Sequence, residues 1–314
     1  MHPSDPDDLA RRFEERRGQL RAVAYRMLGS LSEADDAVQE TWLRLGRTGA
    51  DGIGNLSGWL TTVLSRVCLD MLRSRRARRE EPYGDDWPQE AHGQDAAPED
   101  EALLADSVGL ALLVVLDRLS PPERVAFMLH DLFAVPFDRI AAVVDRSQPA
   151  AKKLASRARA KVRGTPVVPG AELEGHRRVV EAFLAAARGG DLGALLDVLA
   201  PDVVRRADPA ALPAGVPAEL RGARAVAEGT VVLRDRARFA AVALVDGRAG
   251  VVVAPRGRLL FVLEIAVEGG RVVSYDVIAA PERLRRLPLG LLDTPGASGG
   301  AVRTGGGGLT PPRR

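Results

Sequence analysis

Residues 116–162 read LDRLSPPERVAFMLHDLFAVPFDRIAAVVDRSQPAAKKLASRARAKV and carry the clearest local pattern in the chain. Ser120 followed by two prolines and Glu123 predicts a helix start, because serine caps a helix and an acid three residues later reaches back to the cap. Apolar residues at helical spacing then predict two further helices, joined at Asp145-Arg146-Ser147. We predict a helix-turn-helix over 136–163, a layout that places its second helix in the major groove of DNA.

The second helix of this unit has a basic face. Its polar and cationic residues lie opposite the apolar stripe, and all three lysines of the chain belong to it. Cations placed there can meet phosphates, and arginine or lysine can read guanine edges. An exposed basic helix without a nucleic-acid role is the alternative. The residues predicted to contact DNA are Ser147, Gln148, Lys152, Lys153, Ser156, Arg157 and Arg159.

Residues 9–80 form another helical region. Apolar residues step by three and four through 31–45, and again through 60–71, where Ser57 is the expected helix cap. The segment 48–56 between them is rich in glycine and is predicted as a loop. The second helix ends in a run of arginines that includes Arg66, Arg73, Arg75 and Arg76. Cations at a helix end are favourable without DNA, but two basic elements separated by an acidic tether favour two contacts on one DNA.

Residues 81–107 contain nine acidic residues and no lysine or arginine. This charge run, with its prolines, predicts an acidic linker between the region 9–80 and a compact helical unit over 108–165. At the other end of the chain, residues 288–314 are rich in glycine and proline and are predicted to be disordered.

Residues 171–287 have a different sequence pattern from the helical regions before them. Two helices over 172–199 precede a series of short β runs, and Asp246-Gly247 and Gly269-Gly270 are hairpin signals. We predict an α+β domain with a curved antiparallel sheet. The whole chain is then multidomain, with two all-α domains followed by this α+β domain.

The amino-acid composition excludes several broad classes of protein. Apolar residues make up 46% of the chain and charged residues 27%, which excludes a wholly disordered protein. No apolar run is long enough for a membrane helix and the N-terminus has no secretory signal, so we expect a cytoplasmic protein. One cysteine and four scattered histidines argue against a disulfide framework or a metal site, and we expect no cofactor.

Three blocks of the sequence resemble one known protein family. AYRMLGSLSEADDAVQETWLRL (24–45) and LSGWLTTVLSRVCLDMLRSRRARRE (56–80) resemble the second sigma domain of extracytoplasmic-function (group 4) sigma factors, and residues 116–162 resemble their fourth. VVEAFLAAARGGDLGALLDVLAPDVVRRAD (179–208) and VALVDGRAGVVV (242–253) resemble a SnoaL-like cone, a domain that is fused to a subgroup of these sigma factors.

The resemblance implies a sigma factor that directs bacterial RNA polymerase core to promoter DNA and assists promoter melting. It implies no enzymatic activity, because polymerase supplies the catalysis. The lack of a long apolar run adds the expectation of no membrane partner. Docking on the polymerase clamp helices would fall to Asp35, Asp36, Gln39 and Glu40.

The resemblance also assigns the DNA contacts. Asn55 would read a flipped base of the −10 region, with loop or cap chemistry as the alternative for this side chain. Arg66, Arg73, Arg75 and Arg76 would lie over the −10 DNA, and the segment from Ser147 to Arg159 would read the −35 region.

For the C-terminal domain, the resemblance implies regulation in cis in place of a separate anti-sigma protein. Three short motifs are expected in the fused subgroup, and all three depart from their usual form here. Trp87 opens a shortened linker motif, Asp208 is followed by proline and alanine, and the last motif has alanine in place of asparagine. The candidate regulatory residues are Trp87, Asp208, Pro281, Glu282 and Leu284.

Two other functions remain open from the sequence. A plain helix-turn-helix regulator would bind duplex DNA unaided, and it would have no use for the block at 24–45. The second alternative is a cone-fold enzyme of the cyclase or isomerase kind that is fused to a DNA-binding domain. Such an enzyme would need acid/base groups in a pocket. The candidates for that role are His176, Asp208, Tyr275 and Asp276.

Overall fold

The structure, a computed structural model, describes residues 6–49, 53–79, 107–212 and 215–292. The first helical domain packs α1 (Pro6–Leu28), α2 (Leu31–Thr48) and α3 (Leu56–Arg79) around fully buried leucines and methionine. The prediction that Ser57 caps α3 is wrong. The helix begins at Leu56, two residues earlier than a cap at Ser57 implies, and Asn55 Oδ1 accepts the Gly58 amide at 2.9 Å. The residue just before the first helical position is the one placed to reach the unpaired N–H groups.

The second helical domain contains the predicted helix-turn-helix. Its elements are α4 (Ser107–Leu116), α5 (Pro121–Phe127, continued by a π-helical turn over Met128–Leu132), α6 (Phe137–Val144) and α7 (Gln148–Arg163). Glu123 Oε2 accepts the Ser120 amide at 3.0 Å, as the capping motif predicts. Asp145 adopts φ of +55° in the turn between α6 and α7, a left-handed conformation that aspartate tolerates better than most residues.

The sheet domain is built on a curved seven-stranded sheet, in the order β2-β1-β6-β5-β4-β3-β7. Its helices are α8 (Gly170–Gly189), α9 (Leu192–Val198), α10 (Ala223–Val232), α11 (Arg234–Ala237) and α12 (Pro281–Arg286). Its strands are β1 (Leu199–Ala207), β2 (Glu219–Arg221), β3 (Ala240–Val245), β4 (Arg248–Val253), β5 (Phe261–Glu268), β6 (Arg271–Ile278) and β7 (Leu289–Gly290).

The predicted sheet differs from the observed one in two respects. β1 pairs with β6 in parallel, so the sheet is mixed and not purely antiparallel. A parallel pair needs a crossover, and here the chain passes through four strands, α10 and α11 before it returns beside β1. The prediction of a disordered tail from residue 288 is also wrong at its start. Leu289 and Gly290 form β7, which pairs with the edge of β3. Residues 80–106, which include the predicted acidic linker except its last residue, and residues 293–314 lie outside the described residues.

The two faces of the sheet have different neighbours. Val251 and Val253 point toward α8 and join the core of the sheet domain, whereas Val252 between them points to the opposite face. That outer face packs against the second helical domain and shares one continuous hydrophobic cluster with both helical domains. Because side chains alternate along each strand, one face of the sheet packs on the core of its own domain and the other face packs on the helical part of the chain. No helix within the described ranges combines the length and apolar character that crossing a bilayer requires.

Candidate nucleic-acid interface

The second helix of the helix-turn-helix presents its predicted contact face to solvent. Ser147 caps α7, and its Oγ accepts the Ala150 amide at 3.4 Å. Alanines at 151, 155 and 158 and Val162 are buried below. This spacing turns the opposite side of the helix outward, as the sequence predicts. The exposed residues on that side are Ser147, Gln148, Lys152, Lys153, Ser156 and Arg157, with Arg159 half-buried beside them.

Some cations of α7 are engaged by acids of the same domain. Glu123 has only 6% of its side chain exposed and accepts hydrogen bonds from Lys161 Nζ at 2.9 and 3.0 Å. Burial alone would raise the pKa of Glu123, but the bonds from Lys161 and Ser120 outweigh it and hold that pKa below its usual value. Arg159 pairs with Asp131 at 2.7 Å. Lys161 thus fastens α7 to α5, while Lys152 and Lys153 face solvent.

The candidate arginines near the end of α3 have two different environments. Arg73 and Arg76 are exposed, and Arg73 lies 3.7 Å from Asp70. Arg75 is largely covered, pairs with Glu33, and donates to the carbonyl of Leu28 at 2.9 Å. Its guanidinium therefore ties α3 to the end of α1 and to α2.

Arg66 links the two helical domains. Its Nη2 donates to the backbone carbonyl of Ala142, in α6 of the helix-turn-helix, at 2.9 Å. Next to it, a cavity of about 250 Å³ lies between the start of α3 and the residues around α6. Asn55 and Gly58 line one side of this cavity, and Pro136 and Arg139 line the other. The structure thus brings the candidate −10 residues against the candidate −35 domain.

The candidate polymerase-binding residues share the outer face of α2. Asp35 pairs with Arg21 at 2.7 Å and Glu40 pairs with Arg44 at 2.8 Å, while Asp36 and Gln39 are exposed. Leu43 lies on the same face, seven residues after Asp36, and is 46% exposed. Sequence reasoning missed Leu43. The available signal was its position outside the apolar stripe of α2, which predicts an exposed apolar side chain. Trp42, which the stripe does include, packs against Phe13 with ring centroids 4.9 Å apart and the ring planes tilted by 47°.

The candidate regulatory residues of the sheet domain meet at α12. Asp208 Oδ2 accepts the amides of Ala279 and Ala280 at 3.0 Å each, and Oδ1 accepts from Arg283 at 2.9 Å. The motif containing Pro281 and Glu282 therefore lies directly on Asp208, across 71 to 75 positions of sequence. Trp87 lies outside the described residues.

The far end of α12 contacts the second helical domain. Leu284 is buried in the shared hydrophobic cluster. Arg118 donates from Nη2 to the carbonyl of Leu284 at 2.6 Å and from Nη1 to that of Arg285 at 3.2 Å. Burial lowers the pKa of Arg118, although the nearby Asp117 acts to raise it. Sequence reasoning missed Arg118, since no local pattern marks a residue whose partners are 166 positions away.

The acid/base candidates for an enzyme are not brought together. Tyr275 is buried and lines a cavity inside the sheet domain, whereas Asp208 lies at α12 and His176 faces Glu172 on α8 at 3.7 Å. Asp276 follows Tyr275 and so points to the other face of β6. Within the described ranges, no three His, Cys, Asp or Glu side chains group as metal ligands.

Comparisons with known proteins match both helical domains and, in two relatives, about nine tenths of the chain. The family model "Sigma-70 region 2" matches residues 12–78, and "Sigma-70, region 4" matches residues 109–162. The chain is 35% identical over 290 residues to the probable ECF RNA polymerase sigma factor SigI of Mycobacterium tuberculosis, covering 90% of this chain and 96% of that protein. It is 38% identical over 293 residues to the ECF RNA polymerase sigma factor SigJ of the same species, covering 88% and 93%.

A solved structure is also similar. The crystal structure of the Mycobacterium tuberculosis extracytoplasmic function sigma factor SigJ aligns with 88% of this chain and 98% of that chain, at 34% identity and a TM-score of 0.44.

Proposed function

The chain belongs to the extracytoplasmic-function sigma factors of RNA polymerase, and from this premise we propose that its sheet domain restrains, in cis, the two domains that read the promoter. As a sigma factor the chain directs RNA polymerase core to promoter DNA. Polymerase supplies the catalysis, in the cytoplasm. The chain supplies binding free energy, which offsets roughly a few kcal/mol for each base unstacked on melting.

The proposed −35 contacts are the exposed residues of α7, and the proposed −10 contacts are Asn55 and the arginines of α3. The exposed cations Lys152 and Lys153 support phosphate binding by α7. Arg73 and Arg76 support the same role for α3. Arg75 and Arg159 are weaker candidates for DNA contact, because Arg75 is bound to the carbonyl of Leu28 and Arg159 to Asp131 within the protein.

The proposed polymerase surface is the outer face of α2, docked on the clamp helices. It combines the carboxylates of Asp35, Asp36 and Glu40 with Gln39 and the exposed Leu43. A half-exposed leucine among acidic residues suits a protein partner, because burying the leucine on binding is favourable. The carboxylates repel the phosphates of DNA, so this face does not suit a nucleic acid.

One observation carries the proposal of regulation in cis: the bond from Arg66 to Ala142 that joins α3 to the helix-turn-helix. The −10 and −35 elements lie about 25 base pairs apart, or about 85 Å of duplex at 3.4 Å per base pair. A helical domain of this size has a radius of gyration of about 11 Å. Two such domains in contact cannot span the promoter, so this arrangement must open before both elements are read.

The sheet domain supplies contacts that favour the closed arrangement. Gly257, in a short turn after β4, lies against both the carbonyl of Gly29 in the first helical domain and the side chain of Leu113 in the second. Arg118 holds the end of α12, and Leu291 donates to the carbonyl of Val162 at 2.7 Å. A domain attached in this way takes the place of a separate anti-sigma protein, which the chain then does not require.

Transcription by core polymerase with the full-length chain tests this function. Arg118→Gln removes the two bonds to α12, and each charge-assisted hydrogen bond contributes about 1.5–3 kcal/mol. We expect promoter-specific transcript to rise several-fold, because the closed form is destabilised relative to the open one. Arg178→Gln, an exposed arginine on α8, is the matched control and leaves output unchanged. Output equal to or below wild type from a folded Arg118→Gln protein contradicts regulation by this contact.

A further inference from the structure

A small cavity inside the sheet domain is lined by none of the residues proposed to contact DNA or polymerase. It measures about 70 Å³ and lies between the inner face of the sheet and helices α8, α10 and α11. Its walls are mostly apolar and include Phe183 and Leu184 of α8 and Val251, Val253 and Leu263 of the sheet. At about 10–15 Å³ for each enclosed water, the space corresponds to about five waters or to an organic molecule of similar bulk.

The polar groups of this cavity are cationic or hydroxylic. Arg205 is only 3% exposed, and its Nη2 donates to the carbonyl of Pro217, but its Nε has no hydrogen-bond partner. Arg205 is the register partner of Tyr275 on β6, so both side chains share the inner face. Tyr275 Oη lies 3.0 Å from Thr230 Oγ1. Arg236 also lines the cavity and donates to the carbonyl of Ala211 at 2.7 Å.

No aspartate or glutamate is among the described residues that line the cavity. Burial lowers the pKa of both Arg205 and Arg236, with Tyr275 acting to raise that of Arg205. A buried charge is costly unless an opposite charge and hydrogen bonds compensate it. Among the described residues, the acceptor that the protein offers to the Arg205 guanidinium is the backbone carbonyl of Pro217. A bound anion would supply the missing acceptor for Arg205 Nε and the missing charge.

We propose that this cavity binds a small carboxylate with a short apolar tail, its carboxylate on Arg205 and its tail on the valine and leucine wall. An acid of three or four carbons matches the bulk of the cavity. An inorganic anion would leave the apolar wall unfilled, and a neutral ligand would leave the guanidinium uncompensated. This ligand site does not depend on the proposed regulation, because binding is measured without polymerase or DNA.

Calorimetric titration of the full-length protein with sodium butyrate, and separately with the neutral isostere butyramide, tests the proposal at constant ionic strength. We expect butyrate to bind about tenfold or more tightly than butyramide, since only butyrate offers a charged acceptor to Arg205. Equal affinity for the two compounds, or no heat from either, overturns the proposal, and this comparison needs no variant.

Two variants then locate the site. Arg205→Gln should weaken butyrate binding by about tenfold or more, whereas the neighbouring Arg206→Gln, exposed and paired with Glu219, should keep it. Ala187→Leu leaves both arginines in place but fills the cavity that Ala187 lines, and should abolish binding. Retained butyrate affinity in a folded Ala187→Leu protein would place the binding elsewhere and overturn the assignment.

Discussion

Arg118 Nη2 lies 2.6 Å from the backbone carbonyl oxygen of Leu284, and this bond connects the helix-turn-helix domain to the last helix of the sheet domain. The opposite end of the same helix is held by Asp208, through two backbone amides and Arg283. α12 is therefore fixed at one end by its own domain and at the other by a promoter-reading domain. It is one direct physical route by which the sheet domain can influence the sigma domains.

Asp208 makes the attachment of α12 dependent on pH. Burial alone would raise the pKa of this carboxyl, but the amides of Ala280 and Ala279 and the charge of Arg283 outweigh it and lower the pKa. A carboxyl with a lowered pKa contributes stability above its unfolded pKa of about 4, and that contribution is lost as pH falls through the lower folded pKa.

We expect Asp208→Asn to reduce the free energy of unfolding near neutral pH by about 1–2 kcal/mol. Its stability should also fall less steeply than that of wild type between about pH 5 and pH 2. Denaturant titrations at several pH values measure both effects, and Asp235→Asn, whose side chain is 92% exposed, serves as the control. Parallel pH profiles for wild type and Asp208→Asn would disprove the role of this carboxylate.

Lys152 tests the phosphate contacts of α7. Removing one phosphate contact lowers the slope of log affinity against log salt by about 0.9. We therefore expect Lys152→Gln to lower the slope for promoter binding by the polymerase holoenzyme by about 1, measured by fluorescence anisotropy. Lys161→Gln on the same helix is the control, because that ammonium is already bound to Glu123. If both variants change the slope equally, α7 does not bind DNA through the proposed face.

Asn55 has two possible roles, and one substitution separates them. Serine keeps the cap, since its hydroxyl can accept the Gly58 amide, but it lacks the amide that would read a base edge. We expect Asn55→Ser to have the thermal stability of wild type and to melt the −10 region more weakly. Fluorescence of a promoter carrying 2-aminopurine measures the melting. Normal melting by this variant would leave Asn55 as a helix cap only.

Leu43 tests the polymerase surface on α2. The side chain is 46% exposed, so Leu43→Gln should fold normally while losing about 1 kcal/mol of buried apolar contact with polymerase. That loss corresponds to about fivefold weaker binding to core enzyme. Leu132→Gln, at another exposed leucine on the π-helical turn, provides the comparison. Equal affinities of the two variants for core polymerase would exclude this face.

The sequence was most informative where structure is local. The start of α5 at Ser120 and Glu123, the turn at Asp145 and the exposed face of α7 all follow from neighbouring residues. The family could be proposed because two motif blocks matched, and the comparisons confirm it. The prediction for Ser57 failed by two positions, since asparagine and serine cap equally well and the pattern does not choose between them.

Contacts between distant segments could not be predicted. The parallel pairing of β1 with β6, the bond from Arg118 to Leu284 and the contact of Arg66 with Ala142 join residues that no periodicity relates. Arg205 was missed for another reason. Its position in a strand predicts a face of the sheet, but only the three-dimensional structure shows that this face encloses a cavity.

The distance between the two helical domains is the most direct test of the closed arrangement. Spin labels on cysteines introduced at the exposed Asp70 of α3 and Asp138 of α6 would report it, and the native Cys68 should not react, because burial raises its pKa to about 12. We predict a short separation in the unbound protein, and one approaching about 85 Å when polymerase core and promoter DNA are added. An unchanged short distance in the promoter complex would contradict the account.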